Sequence, residues 1–141
     1  MITFLPYPDF DESARVLDRA RLGKQRVEAW MILRSLCGET TGWNHHPAVK
    51  MWQGYEHTLC RYLLAMCREW QARGYVDNLA GQLLGLRLPA TARGSNPPWL
   101  GSPDLHRSHR ANLARKDPAY YVPKFGNLPP EPYVWPVNHH D

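Results

Sequence analysis

Val16, Ala20, Gly23, Val27, Trp30 and Met31 recur at the 3.6-residue period of an α-helix and form one apolar stripe. Asp11 or Ser13 precedes the run as a helix-starting cap and Gly38 follows it as a stop, so the spacing predicts a helix to about Cys37. Gly23 interrupts the apolar stripe at a cost of about 1 kcal/mol against alanine, which points to another backbone approaching closely there. A second run, Val49, Trp52, Leu59, Leu63, Met66 and Trp70, predicts a helix from Pro47 to about Arg73 with Gly74 as its cap. A third helix is expected from Ser102 or Asp104 to about Lys116, and a short one near 79–86. The fold class is therefore all-α, with about three main helices. Residues 1–10 carry Pro6 and Pro8 and read as an extended arm packed on the domain. Residues 87–103 read as a long loop. The tail, 117–141, is rich in proline and aromatics and is expected to wrap the helices without regular structure.

A chain of 141 residues with 43% hydrophobic residues builds one domain, 1–141, with a real core. The net charge of +4 mildly favours a polyanionic partner. Six Trp and seven Tyr, interspersed with Arg and Lys, suit core packing and also stacking on nucleobases. Cys37, Cys60 and Cys67 form no CxxC and read as buried free thiols of a reducing compartment. No signal-peptide pattern and no run of about 18 apolar residues occurs, so no membrane association and a cytoplasmic location are expected.

On a helical wheel Arg21, Lys24 and Glu28 fall within one strip bordering the apolar stripe. Lys24 and Glu28, four residues apart, read either as a surface ion pair or as the lining of a cleft suited to proton transfer. Arg19 and Arg26 flank the stripe and are candidate phosphate contacts. His45 and His46 precede a helix N-terminus, where imidazoles either pack the loop or meet a phosphate. A metal site built from His45, His46, His106 and His109 lacks a carboxylate or thiolate at ligand spacing and is disfavoured. His106, Arg107, His109, Arg110, Arg115 and Lys116 make the third helix basic, either as a solvated face or as a binding one. Walker A, GxGxxG, HExxH and GxSxG motifs do not occur, which weighs against nucleotide hydrolysis, dinucleotide chemistry and serine hydrolysis.

Four segments, in order, resemble the pyrimidine-dimer DNA glycosylases of the endonuclease V type, above all their short bacterial relatives. They are Leu17-Asp18 with Leu22 and Glu28; Gly42-Trp43 with His46-Pro47; Tyr55, Leu59 and Tyr62 with Arg73-Gly74-Tyr75; and His106-Arg107 through Asp117-Pro118 and Tyr121. The resemblance implies an all-α fold and a DNA repair enzyme acting on double-stranded, damaged or abasic DNA. Such an enzyme cuts the glycosidic bond of a damaged pyrimidine and then nicks the abasic strand through an amine Schiff base, without a metal or redox cofactor. It makes Glu28 the catalytic carboxylate, places His46 near sugar or phosphate, and makes Arg107 and Arg110 phosphate contacts. Arg19, Arg21, Arg26, His45 and Lys116 complete the expected DNA-binding set.

The chain departs from the family pattern at three places. Ile2 stands where phage members expose a threonine, and its bulk favours retention of Met1, which would then supply the amine. The arm before Leu17 is longer than in phage members, which makes Lys24 a rival nucleophile. His45 stands where the family has asparagine. An α-amine, with a general reference pKa of about 7.7–8.0, is more often unprotonated at neutral pH than an ordinary lysine. The expected function is thus a monomeric DNA glycosylase and abasic-site lyase, associated with the nucleoid. The alternatives are a non-catalytic nucleic-acid-binding module of the same fold and a partner-binding helical domain.

Overall fold

The computed structural model describes residues 1–42 and 44–136. Trp43, part of one family-like segment, and the last five residues of the expected tail lie outside the described residues. The elements are α1 (Phe10–Val16), α2 (Arg19–Leu36), α3 (Pro47–Lys50), α4 (Glu56–Ala72), α5 (Leu79–Gln82), α6 (Pro103–Lys116) and α7 (Pro118–Phe125), with a 3₁₀ turn at Leu83–Gly85. Three of them, α2, α4 and α6, are long, and the described residues contain no strand. The chain is all-α, as expected. No helix among the described residues is long and apolar enough to cross a membrane.

The first expected helix is two. Asp9 caps α1, accepting from the Glu12 N–H at 2.9 Å. Asp18 caps α2, accepting from the Arg21 N–H at 3.2 Å, so the chain bends at Leu17. Two side chains hold this bend. The Arg73 guanidinium donates to the carbonyls of Ala14, Arg15 and Leu17 at the C-terminal end of α1, where the last carbonyls of a helix lack intrahelical donors. The Tyr121 hydroxyl accepts from the Asp18 N–H at 2.9 Å and donates to the Asp18 carboxylate. The second expected helix is also divided. Gly54 takes φ +87°, a left-handed conformation that ends the turn after α3, and the Glu56 carboxylate accepts its N–H at 3.0 Å. Gly74, at φ +95°, stops α4 as expected. The tail differs from its expectation at α7. Asp117 caps it and Pro118 fills its first turn, where a missing N–H costs nothing. Residues 126–136 do wrap irregularly: Asn112 Nδ2 donates to the Glu131 carbonyl and the Val134 N–H to Ser108 Oγ.

The buried face of α2 is Leu22, Gln25, Ala29, Ile32, Leu33 and Ser35, not the expected stripe; Val27 is about half exposed. The expected period was right and its phase was wrong. α2 packs on α4, whose buried Leu59, Tyr62, Leu63 and Met66 meet Trp52 and Leu22 in the core. Gly23 faces the Trp70 indole rather than a backbone: a Cβ built there would lie 2.9 Å from the ring. Trp70 is pinned by its bond to the Val76 carbonyl, by Tyr75 at 4.4 Å between centroids and by the Arg26 guanidinium at 4.9 Å. Gly23→Ala is therefore expected to destabilise by about 1–3 kcal/mol despite alanine's better helix propensity. Urea denaturation checks this, and an unchanged or raised midpoint would contradict the clash.

The N-terminal arm enters the core instead of lying on it. Ile2, Thr3, Phe4 and Leu5 are buried, and Trp52 Nε1 donates to Thr3 Oγ1 at 3.1 Å. His106 and His109 clamp Leu5. His109 Nδ1 accepts the Leu5 N–H at 2.8 Å, and His106 Nδ1 lies 2.8 Å from the Leu5 carbonyl while its Nε2 accepts the Gly101 N–H. These contacts require both rings neutral, with the proton on Nδ1 of His106 and Nε2 of His109. α6 thus turns these two histidines inward, which removes them from the expected basic face, while Arg115 and Lys116 remain exposed. Burial lowers the pKa of both, and that of His109 to about 3. Below the unfolded value of about 6.5 the unfolded chain binds protons that the folded chain refuses. The stability contribution is full above that value and falls toward the folded pKa, with a slope approaching about 1.4 kcal/mol per pH unit for each ring. Chemical denaturation at pH 7, 6 and 5 should show a falling midpoint, flattened in His109→Gln; a flat wild-type profile would contradict neutral burial.

Candidate functional site

The helical strip expected to carry chemistry opens onto a cleft. Ala20, Arg21, Lys24, Gln25 and Glu28 of α2 form one wall, Met1, Ile2 and Phe4 of the arm form another, and Lys116 at the end of α6 closes it. The cleft encloses about 370 Å³. Successive contributions at three- and four-residue spacing put the α2 side chains on one face. The Lys24–Glu28 ion pair that this spacing allows is not formed. Lys24 is exposed, and Glu28 Oε2 accepts from Gln25 Nε2 at 3.0 Å.

Gln25 is fully polar yet only 1% exposed, and its amide links the two walls. Its Nε2 donates to the Ile2 carbonyl at 3.0 Å as well as to Glu28. Its Oε1 accepts from the Phe4 N–H at 2.8 Å, and the Tyr62 hydroxyl lies 2.7 Å from both that oxygen and the Phe4 carbonyl. Donors and acceptors are thereby satisfied without water, as a buried amide requires. The longer arm does not carry Met1 away: burying residues 2–5 folds it back onto α2.

Charges gather around Glu28. Burial lowers the pKa of Lys116, and Arg21, Arg115 and Lys24 lower it further, while Glu28 opposes them. Burial lowers that of His46, the α-amine of Met1 adds to this, and Glu28 again opposes. The amine, Glu28 and His46 therefore share one electrostatic neighbourhood. His46 caps α3: its Nδ1 accepts the Ala48 N–H at 3.0 Å, which places the proton of the neutral ring on Nε2. Its ring meets Trp135 of the tail edge to face at 6.1 Å, and Tyr133 lies between Trp135 and Phe4.

The structure brings together Met1, Arg21, Lys24, Glu28 and Lys116, with His46 in electrostatic range. Other expected residues stand elsewhere. Arg19, the first residue of α2, is exposed. Arg26 is turned into the fold, paired with the buried Asp77 carboxylate under Trp70, with its side chain 11% exposed. Arg107 bonds Glu131 at 2.9 Å and Asp104 at 3.1 Å. Arg110 donates to the Pro6 carbonyl at 2.7 Å and lies over Tyr7. Arg26, Arg107 and Arg110 thus fasten the fold at three places. His45 lines a separate cavity with Ser35, Asn44 and Glu56. Among the described residues no three His, Cys, Asp or Glu side chains converge on a metal-sized site. The thiols are free, with Cys67 buried and Cys37 and Cys60 partly so. Burial pushes Cys67 up to about 12 and Cys37 up to about 11, so neither is a nucleophile at neutral pH.

The residue that the sequence concealed is Gln25. Its signal was a polar side chain at the phase of Leu22, Ala29 and Ile32, visible only once the stripe is set in the right register. A family model described as pyrimidine dimer DNA glycosylase matches residues 1–82. No curated protein and no solved structure matches the chain. The matched stretch spans the arm and α1 to α5, and so every side chain of the cleft except Lys116.

Proposed function

The chain belongs to the pyrimidine dimer DNA glycosylase family, and on that premise we propose that it excises damaged pyrimidines from double-stranded DNA and nicks the resulting abasic strand, with the α-amine of Met1 as nucleophile and Glu28 as the catalytic carboxylate. The observation that carries this reading is the convergence of Met1 and Glu28 on one cleft, joined through a single buried amide.

The chemistry needs few groups. The unprotonated amine attacks C1′, and the C1′–N1 bond breaks with its electron pair leaving on the base, which takes up a proton. Protonation of O4′ opens the sugar and leaves an iminium between C1′ and the amine nitrogen. Loss of a C2′ proton then expels the 3′ phosphate. In this reading Glu28 delivers or accepts these protons and stabilises the cationic sugar. Lys24, Arg21 and Lys116 surround the cleft with positive charge suited to the phosphates on either side of an abasic sugar. His46, whose Nδ1 accepts the Ala48 N–H and whose pKa burial lowers, adds no charge that would oppose the cationic intermediate. Arg19 extends this positive edge along α2.

Borohydride trapping with abasic-site DNA, followed by peptide mass spectrometry, tests the reading. A covalent adduct at Met1 is expected. An adduct at Lys24 would keep the reaction class and replace the nucleophile. Salt-sensitive binding without any adduct would leave a nucleic-acid-binding module and overturn the enzymatic reading.

A further inference from the structure

We infer that Gln25 is a positioning residue of the reaction: its side-chain amide sets the N-terminal amine against Glu28. The inference rests on the reading of Met1 and Glu28 just given, and it follows from how the amide spends its hydrogen bonds.

An N-terminal residue has only one covalent neighbour, so its amine is the least constrained nucleophile a chain possesses. In this chain the constraint comes one and three residues later. Gln25 donates to the Ile2 carbonyl at 3.0 Å and accepts from the Phe4 N–H at 2.8 Å, so it grips the arm on both sides of Thr3 in the manner of a neighbouring strand. Thr3 is held from the other direction by Trp52 Nε1 at 3.1 Å. The second N–H of the same amide goes to Glu28 Oε2 at 3.0 Å. One planar group therefore fixes the path of the arm and the rotamer of the carboxylate together. Tyr62, fully buried beneath it, fixes the amide orientation by bringing its hydroxyl to 2.7 Å from Oε1. The i,i+3 spacing of Gln25 and Glu28 makes the coupling rigid, since both side chains leave the same helix face.

A structural amide would need partners of the right polarity but not these partners. Here one of them is the carboxylate assigned to catalysis and another is the backbone next to the nucleophile. Displacing a reacting group by about 1 Å costs on the order of 10²-fold in rate. The lysine alternative needs no such support, because Lys24 stands directly on α2.

Two variants of the full chain test this. Gln25→Met keeps the length and removes every hydrogen bond; Gln25→Glu keeps the volume and the acceptor for Phe4 N–H but turns an oxygen on both the Ile2 carbonyl and Glu28. Both are assayed for single-turnover borohydride trapping on abasic DNA, for affinity to a duplex carrying a non-reactive tetrahydrofuran abasic analogue, and for adduct position. Trapping is expected to fall by about 10²-fold in each, with analogue affinity within about threefold, and the residual adduct should move from Met1 toward Lys24. Trapping at Met1 within about threefold of wild type in either variant would overturn the inference. So would loss of trapping and of analogue binding together in both variants, since Gln25 would then hold the fold alone. A wild-type chain that traps nothing refutes the enzymatic reading itself, and a wild-type adduct at Lys24 refutes this inference while leaving the reaction class intact.

Discussion

Glu28→Gln is expected to lower both glycosidic cleavage and borohydride trapping by about 10²–10⁴-fold while leaving affinity for abasic duplex within about threefold. The substitution preserves volume, and a glutamine oxygen still accepts from Gln25 Nε2, so the packing around position 28 survives. What disappears is the ability to exchange a proton with the opening sugar and to oppose its positive charge. Binding has a different origin. Arg21, Lys24 and Lys116 line the same cleft and Arg115 adds to the positive field around Lys116, so the attraction to phosphate does not depend on an anion among them. Removing that anion strengthens the field. Single-turnover rates and equilibrium binding to a tetrahydrofuran duplex separate the two contributions. A parallel fall in both would mean that Glu28 shapes the surface rather than the reaction.

Helix identity was legible in the sequence where a run was long and its ends were capped. The cap at Ser102 and the stop at Gly74 follow from residue types with strong local preferences. The bends at Leu17 and Gly54 were not legible, because they depend on distant partners. Arg73 reaches three carbonyls across the bundle, and Tyr121 seals Asp18 from more than a hundred residues away. α7 was hidden by composition: prolines at its first turn and near its end look like helix breakers until Asp117 is recognised as a cap.

The site was legible to the extent that it lies on one helix. Arg21, Lys24 and Glu28 share a strip by spacing alone, whatever the phase of the core. The return of the arm was not, since neither its length nor its prolines say that residues 2–5 enter the core. That outcome is decided by His106 and His109, which read as part of a basic face but are used as neutral clamps on Leu5. Charge composition misled in the same way for Arg26 and Arg110. Each finds an internal acceptor, the Asp77 carboxylate or the Pro6 carbonyl, that no local pattern announces.

The arm's return leads to the second large effect. Two residues, Gly-Ser, placed before Met1 are expected to lower trapping by about 10²-fold or more with little change in binding to the analogue duplex. Each added residue spans about 3.3–3.6 Å when extended, so the new amine lies well outside contact with a sugar held against Glu28. The rest of the arm stays in place, because its anchors at Ile2, Thr3, Phe4 and Leu5 are unchanged. Lys24→Gln provides the opposing case. Lys24 is exposed, and its loss should weaken phosphate attraction and reduce trapping at low DNA concentration by no more than about tenfold, with saturating rates preserved. The two variants therefore exchange signatures if the nucleophile is the lysine: the extended chain would trap normally and Lys24→Gln would not trap at all. Intact mass of the unextended protein must show Met1 in place, since an amine exposed at Ile2 would start one residue nearer the Gln25 clamp.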